Sequence, residues 1–220
     1  MTGAKPEARL PPSDRMIAFT DAAVAIALTL LVLPLVDIVP EAARSGEHAV
    51  EVVTKNVAPI GSFLLSFAVI ARFWAAHHRL FGYEHRLTRS LVQLNLLWVL
   101  TIAVLPFPTE MIASFDTHGF VTPFYLGVLL ACSTFLTTMA VVMRRTAVRD
   151  GTDDGVPEPA VTGLMSSTAT FVIAFVVALA VPSLGAFVFF VLFADPVVEP
   201  VVRRLRGGRA RRTPRGTDTA

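Results

Sequence analysis

The chain has 220 residues, 54% of them apolar and 16% charged, with a formal net charge of +2. Composition of that kind reads as a polytopic membrane protein with no room for a separate soluble domain. Its one cysteine, Cys132, excludes a disulfide framework within the chain.

Residues 1–14 are rich in Pro and charged side chains and read as a disordered tail. A membrane helix needs ~20 apolar residues. Segments of that kind are Phe19–Val36, Val52–Ala75, Leu91–Ala113, Val121–Met143, Val161–Val181 and Ser183–Val202, the last interrupted by Asp195 and Glu199. The expected fold is therefore all-α, with six transmembrane helices over residues 15–205 and a basic disordered tail over 206–220. The first apolar run begins late and is too long for a signal-peptide core, so no cleavable leader is expected.

Arginine and lysine fix the orientation. They gather before the first span (Lys5, Arg9, Arg15), between the second and third (Arg79, Arg86, Arg89), between the fourth and fifth (Arg144, Arg145, Arg149) and after the sixth (Arg203 to Arg215). The alternate loops hold only Arg44 and Lys55. The positive-inside rule places both termini in the cytoplasm. The arginine tail follows a membrane helix directly, so it reads as a topology and anionic-lipid signal and not as a nucleic-acid site. The acidic loop at 150–160 lacks the spacing of a calcium-binding hand.

The first span carries two patterns. With ~100° per residue, Ala22, Ile26, Thr29, Leu30 and Leu33 fall on one stripe, with Arg15 on its extension. Thr20 and Asp21 point away from it. If several copies faced a common axis, Ile26, Leu30 and Leu33 would stack as aliphatic rings able to gate by dewetting, with Thr29 supplying a hydroxyl layer. From periodicity alone, a face turned to lipid or core is the simpler account of the same stripe.

The second span ends Arg72-Phe73-Trp74-Ala75-Ala76-His77-His78-Arg79-Leu80-Phe81, and the third begins with Gln93 and Asn95. Topology puts Arg15, Thr20, Asp21, Trp74, His77 and Asn95 in one inner layer. Polar groups inside a membrane are costly and persist by satisfying one another. Three readings stand side by side: a structural clasp on the first helix, a metal site using His77, His78 and Asp21, and a proton relay through His77 and Asp21. In the third span, Pro106-Phe107-Pro108 predicts a kink or early end. Val181-Pro182-Ser183 predicts a tight hairpin between the last two spans. No nucleophile–base pair or phosphate loop is present, so catalysis is not expected.

Arg15-x-x-x-Phe19-Thr20-Asp21 followed by Ala25-Ile26-x-x-Thr29-Leu30-Leu31-Val32-Leu33 resembles the signature first helix of the transmembrane protein 175 family. These are the lysosomal potassium channel and its prokaryotic relatives. Phe73-Trp74-x-x-His77-His78-Arg79-Leu80-Phe81 resembles the family's second motif. Asn95-Leu96-Leu97 and Pro106-Phe107-Pro108-Thr109 resemble its third-helix pattern. The resemblance implies a homotetrameric, potassium-permeable channel in a prokaryotic plasma (inner) membrane, with the first helix lining the pore. K+ would be the permeant ion and no cofactor or metal would be held. It carries the constriction onto Ile26, Leu30 and Leu33 and the hydroxyl layer onto Thr29. It carries the structural polar network onto Arg15, Phe19, Thr20 and Asp21, packed with Trp74, His77 and Asn95. One departure is that Thr20 stands where the family usually has Ser. A secondary transporter or proton-coupled carrier is the alternative, but such proteins usually show internal repeats and broken midplane helices.

Overall fold

The computed structural model describes residues 13–183 apart from 84–86, 118, 153–154 and 182. Eight helices follow one another: α1 (Ser13–Leu30), α2 (Leu33–Arg44), α3 (Ala49–Lys55), α4 (Val57–Phe81), α5 (Arg89–Val104), α6 (Pro106–Ser114), α7 (Val121–Asp150) and α8 (Glu158–Ala180). They make five segments long and apolar enough to cross a membrane, with α1 running into α2 and α5 into α6. The expected sixth crossing, Ser183–Val202, lies outside the described residues apart from Ser183. So do the hairpin at Pro182, residues 1–12 of the expected N-terminal tail and the whole tail at 206–220. Among the described residues, α1 already includes Ser13 and Asp14, ahead of the expected boundary at residue 15.

Two spans are built in pieces, and proline explains both. Pro34 opens α2 and cannot donate to the carbonyl of Leu30, with which its ring also clashes. The helix therefore breaks at Leu31–Val32, where the Val32 amide turns back to the Thr29 carbonyl at 3.4 Å. The uninterrupted helix expected over Phe19–Val36 is corrected accordingly. Pro106 acts the same way on Ile102: the Leu105 amide reaches the Ile102 carbonyl at 3.2 Å before α6 restarts. This is the kink expected at Pro106-Phe107-Pro108. A second correction concerns Val52–Ala75. The crossing starts only at Val57, because residues 49–55 form the separate short helix α3, whose Lys55 pairs with Glu47 at 3.0 Å and Glu51 at 3.5 Å.

The longest helix, α7, is the middle of the bundle. Leu126, Leu129, Cys132, Leu136, Met139 and Ala140 are all essentially inaccessible. It packs against α5 on one side and α8 on the other, while α1 lies against α4 and α5. Gly127 lets the ring of Phe175 come close, since a Cβ there would sit 3.3 Å from it. At its end, Gly151 takes the left-handed conformation (φ 69°), and its amide caps the carbonyls of Ala147 and Val148.

Candidate functional site

The two faces of α1 separate cleanly. Met16, Thr20, Val24 and Ala27 are buried against the bundle, and Leu31 continues that row across the break. On the opposite side Phe19, Ala22, Ala25, Ile26, Thr29 and Leu30 are exposed. Ile26 is 60% exposed, Leu30 42% and Leu33 51%, large values for branched apolar side chains on a helix otherwise anchored in a core. The stripe read from helical angle is thus the uncovered face of α1 within this chain. Leu33 belongs to it across the break and not by continuous helical rotation. The Thr29 hydroxyl donates to the Ile26 carbonyl at 2.8 Å, which leaves its oxygen lone pairs on the exposed side.

Behind that face runs a line of hydrogen bonds through three helices. The Thr20 hydroxyl donates to the Met16 carbonyl at 2.9 Å. Asn95 Nδ2 donates to Thr20 Oγ1 at 2.8 Å, and Asn95 Oδ1 faces His77 Nε2 at 2.8 Å. The backbone carbonyl at one end fixes the direction of the whole line. A carbonyl only accepts, so Thr20 must donate to it and accept from the Asn95 amide nitrogen. The Asn95 carbonyl then faces His77, whose Nε2 carries the proton. Thr20, His77 and Asn95 are each 0% exposed. The imidazole is stacked between Phe81 and Trp98, both with ring centroids at 4.4 Å. Among the described residues its Nδ1 has no hydrogen-bond partner, and Trp98 Nε1 has no oxygen or nitrogen partner.

Asp21 sits beside this line and does not join it. Its carboxylate accepts the indole N–H of Trp74 at 2.8 Å, with both side chains partly exposed. Trp74 in turn leans on His78 at a centroid distance of 5.6 Å. Arg15 and Phe19 are exposed and are not brought into the cluster; Arg15 makes no hydrogen bond or ion pair among the described residues. No group of three or more His, Cys, Asp and Glu side chains that could hold a metal occurs among the described residues.

A second polar cluster was not foreseen from the sequence. The Thr109 hydroxyl contacts Ser66 Oγ at 2.8 Å and the Leu105 carbonyl at 2.8 Å, and Ser66 meets the Tyr125 hydroxyl at 3.1 Å. All three side chains are buried, tying α4, α6 and α7. A third joins Ser133 and Thr137 of α7 to Thr168 of α8, each at 2.8 Å. Lone hydroxyls inside apolar spans carry little signal; only their recurrence along α7 hinted at a partner helix.

A family model described as endosomal/lysosomal potassium channel TMEM175 matches residues 15–106. The resemblance to the TMEM175 family is borne out. All the residues singled out above for the pore stripe and the inner polar layer lie inside that TMEM175 span. A potassium channel from Streptomyces collinus is 39% identical over 105 residues, 47% of this chain and 48% of that protein. The endosomal/lysosomal proton channel TMEM175 of Homo sapiens is 30% identical over 122 residues, 54% of this chain and 22% of that protein. The match thus spans about half the length of the first relative and a much smaller share of the second. The crystal structure of a lysosomal potassium-selective channel TMEM175 homolog from Chamaesiphon minutus covers 85% of this chain and 97% of its own, with a TM-score of 0.68 and 24% identity. The likeness in fold therefore extends well beyond the matched residues 15–106.

Proposed function

We propose that this chain is one subunit of a potassium-permeable cation channel in which α1 of each copy faces a central axis. The observation that carries the reading is the uncovered stripe of α1: Ile26, Thr29, Leu30 and Leu33 stand exposed while the opposite face is fully packed. A homotetramer would turn the stripe inward. Aliphatic rings at Ile26, Leu30 and Leu33 would then form a constriction that conducts when wetted, and the Thr29 oxygens would offer cation ligands. Prokaryotic relatives named as potassium channels match over 48% and 60% of their own lengths, the vertebrate proton channels over a quarter or less, which favours K+ as the permeant ion. The carrier alternative is not favoured. Transport in this reading is passive, in a prokaryotic plasma membrane with the arginine-rich loops cytoplasmic, and needs no cofactor or catalytic step.

The inner polar layer serves this reading as a clasp. The line from His77 through Asn95 to Thr20 ends on a helix carbonyl, and His77 Nδ1 has no hydrogen-bond partner among the described residues, so the arrangement supports holding α1 better than relaying protons. The test is recording from purified protein in a planar bilayer with potassium and sodium on opposite sides. Unitary potassium currents are expected. Slow saturable exchange without unitary currents, or crosslinking that stops at the monomer, would overturn the reading.

A further inference from the structure

Proline breaks two of the crossings, and the two breaks are finished differently. At Pro106 the freed carbonyl is that of Ile102, and the Leu105 amide closes onto it at 3.2 Å. The Leu105 carbonyl beside it accepts the amide of Thr109 at 3.1 Å and its hydroxyl at 2.8 Å. Ile102 and Leu105 are both buried, so that break is repaired inside the bundle. At Pro34 the freed carbonyl is that of Leu30. The amides of Val32, Leu35 and Val36 go to the carbonyls of Thr29 and Val32, and none of the three reaches Leu30. The Thr29 hydroxyl is committed to the Ile26 carbonyl at 2.8 Å. This flank is also uncovered within the chain, with Leu30 and Leu33 both exposed.

The break at Leu31–Val32 also lies at membrane depth. It falls inside the first apolar crossing, and the charged residues that flank it in sequence, Asp21 and Asp37, are ~15 Å and ~9 Å from Leu31 along the helix axis. Backbone that leaves the helix at such depth persists where protein buries it or where it lines water. In a helix a carbonyl points along the axis toward the residue four further on. The Leu30 oxygen therefore stands between Leu30 and Pro34, at the edge of the stripe that carries Ile26, Leu30 and Leu33. It is less than one turn, ~5 Å, from the Thr29 layer, on the α2 side. We infer, resting on the pore reading of α1, that this break is a second ligand layer for the permeating K+, made of the Leu30 carbonyl oxygens, one from each copy. A backbone carbonyl is the ligand with which dehydrating filters hold potassium, and unwound helix segments present the same group to alkali ions in transporters. Without an amide at position 34, the oxygen keeps its lone pairs for the ion. The Leu30 and Leu33 side chains on either side of it thin the surrounding water.

An ester scan of the full chain tests this, with unitary currents recorded in a planar bilayer under potassium and sodium gradients. Replacing Leu31 with the corresponding α-hydroxy acid turns the peptide bond after Leu30 into an ester. Every side chain stays, and the Leu30 carbonyl becomes a poorer ligand. Unitary potassium conductance should fall severalfold, and the potassium-to-sodium permeability ratio should move toward one. The same replacement at Leu28 weakens the carbonyl of Ala27, on the packed face of α1, and should leave both quantities unchanged. Pro34→Ala returns an amide to the Leu30 carbonyl and should shift conductance and ratio in the same direction as the Leu31 ester. It stands as the second test if the ester chain fails to assemble. Wild-type currents with an unaltered Leu31 ester, or an unaltered Pro34→Ala, would overturn the carbonyl layer and leave the pore reading standing. Equal losses from the Leu28 and Leu31 esters would overturn it in favour of a general weakening of the α1 backbone. A wild type that passes no unitary current would overturn the pore reading and the carbonyl layer with it.

Discussion

Thr20 and Ile26 lie six residues apart on one helix and live in opposite environments. Thr20 is wholly buried, accepts from Asn95 and donates to its own helix backbone; Ile26 is 60% exposed. The buried hydroxyl of α1 is satisfied on the first face, and the second face is left largely uncovered. Such a division makes sense if the second face is completed by other copies, and it separates two kinds of variant. Changes on the packed face should act on folding; changes on the bare face should act on conduction.

The largest expected effect is on the packed face. Asn95→Ala removes both hydrogen bonds of the central amide and strands the buried His77 Nε2–H beside a cavity. A destabilisation of about 3 kcal/mol is expected from the unsatisfied donor and the lost packing together. Thermal unfolding of the purified variant in detergent reads it directly. A change within ~0.5 kcal/mol, the range of an ordinary surface substitution, would mean that the line of hydrogen bonds does not hold α1.

On the bare face, Ile26→Asn should do the reverse. A polar side chain at this layer of the proposed constriction would favour water there, so unitary potassium current should rise severalfold while the unfolding temperature stays near that of the wild type. Unchanged current in a folded variant would show that the stripe meets lipid and not ions.

How much of this contrast was legible in the sequence depends on the kind of signal. Helical period alone put Ile26, Leu30 and Leu33 on one face and Thr20 on another, because 3.6 residues per turn is a property of the backbone. Topology and spacing brought Thr20, Asp21, Trp74, His77 and Asn95 to one depth. They did not say that Thr20 would join Asn95 and His77 while Asp21 would pair with Trp74 apart from them. That choice turns on about one residue of helix rotation, 100°, and on how α4 and α5 are seated against α1. Arg15 and Phe19 carry a motif but stand exposed, and Arg15 makes no hydrogen bond or ion pair among the described residues. The break at Leu31–Val32 was readable in principle from Pro34 and was overridden by the unbroken run of apolar residues. The Ser66–Thr109–Tyr125 cluster was not readable, since its members come from three helices and each is unremarkable in its own.

Asp21→Asn sharpens the boundary between the two faces. The amide oxygen can still accept from Trp74, so what is lost is the charge, at a cost of about 1 kcal/mol. The expected readout is a lower fraction of the proposed tetramer on dilution, followed by crosslinking or light scattering, with ion preference unchanged. A tetramer as stable as the wild type with an altered potassium-to-sodium ratio would move Asp21 from the anchor of α1 to the ion pathway.

The smallest effect tests what the buried threonine contributes. Thr20→Ser keeps the hydroxyl that links Met16, Thr20 and Asn95 and removes one buried methyl, a loss of about 0.8 kcal/mol. Thr20→Val keeps the shape and removes the hydroxyl, leaving Asn95 Nδ2 without its acceptor at about 1.5 kcal/mol, near the upper end for a hydrogen bond between membrane helices. If the clasp is a hydrogen-bond device, valine must be the worse replacement, in thermal unfolding and in tetramer yield alike. If serine is the worse, close packing of α1 on α5 matters more than the hydroxyl, and the polar line records how Thr20 is accommodated and not why α1 stays in place.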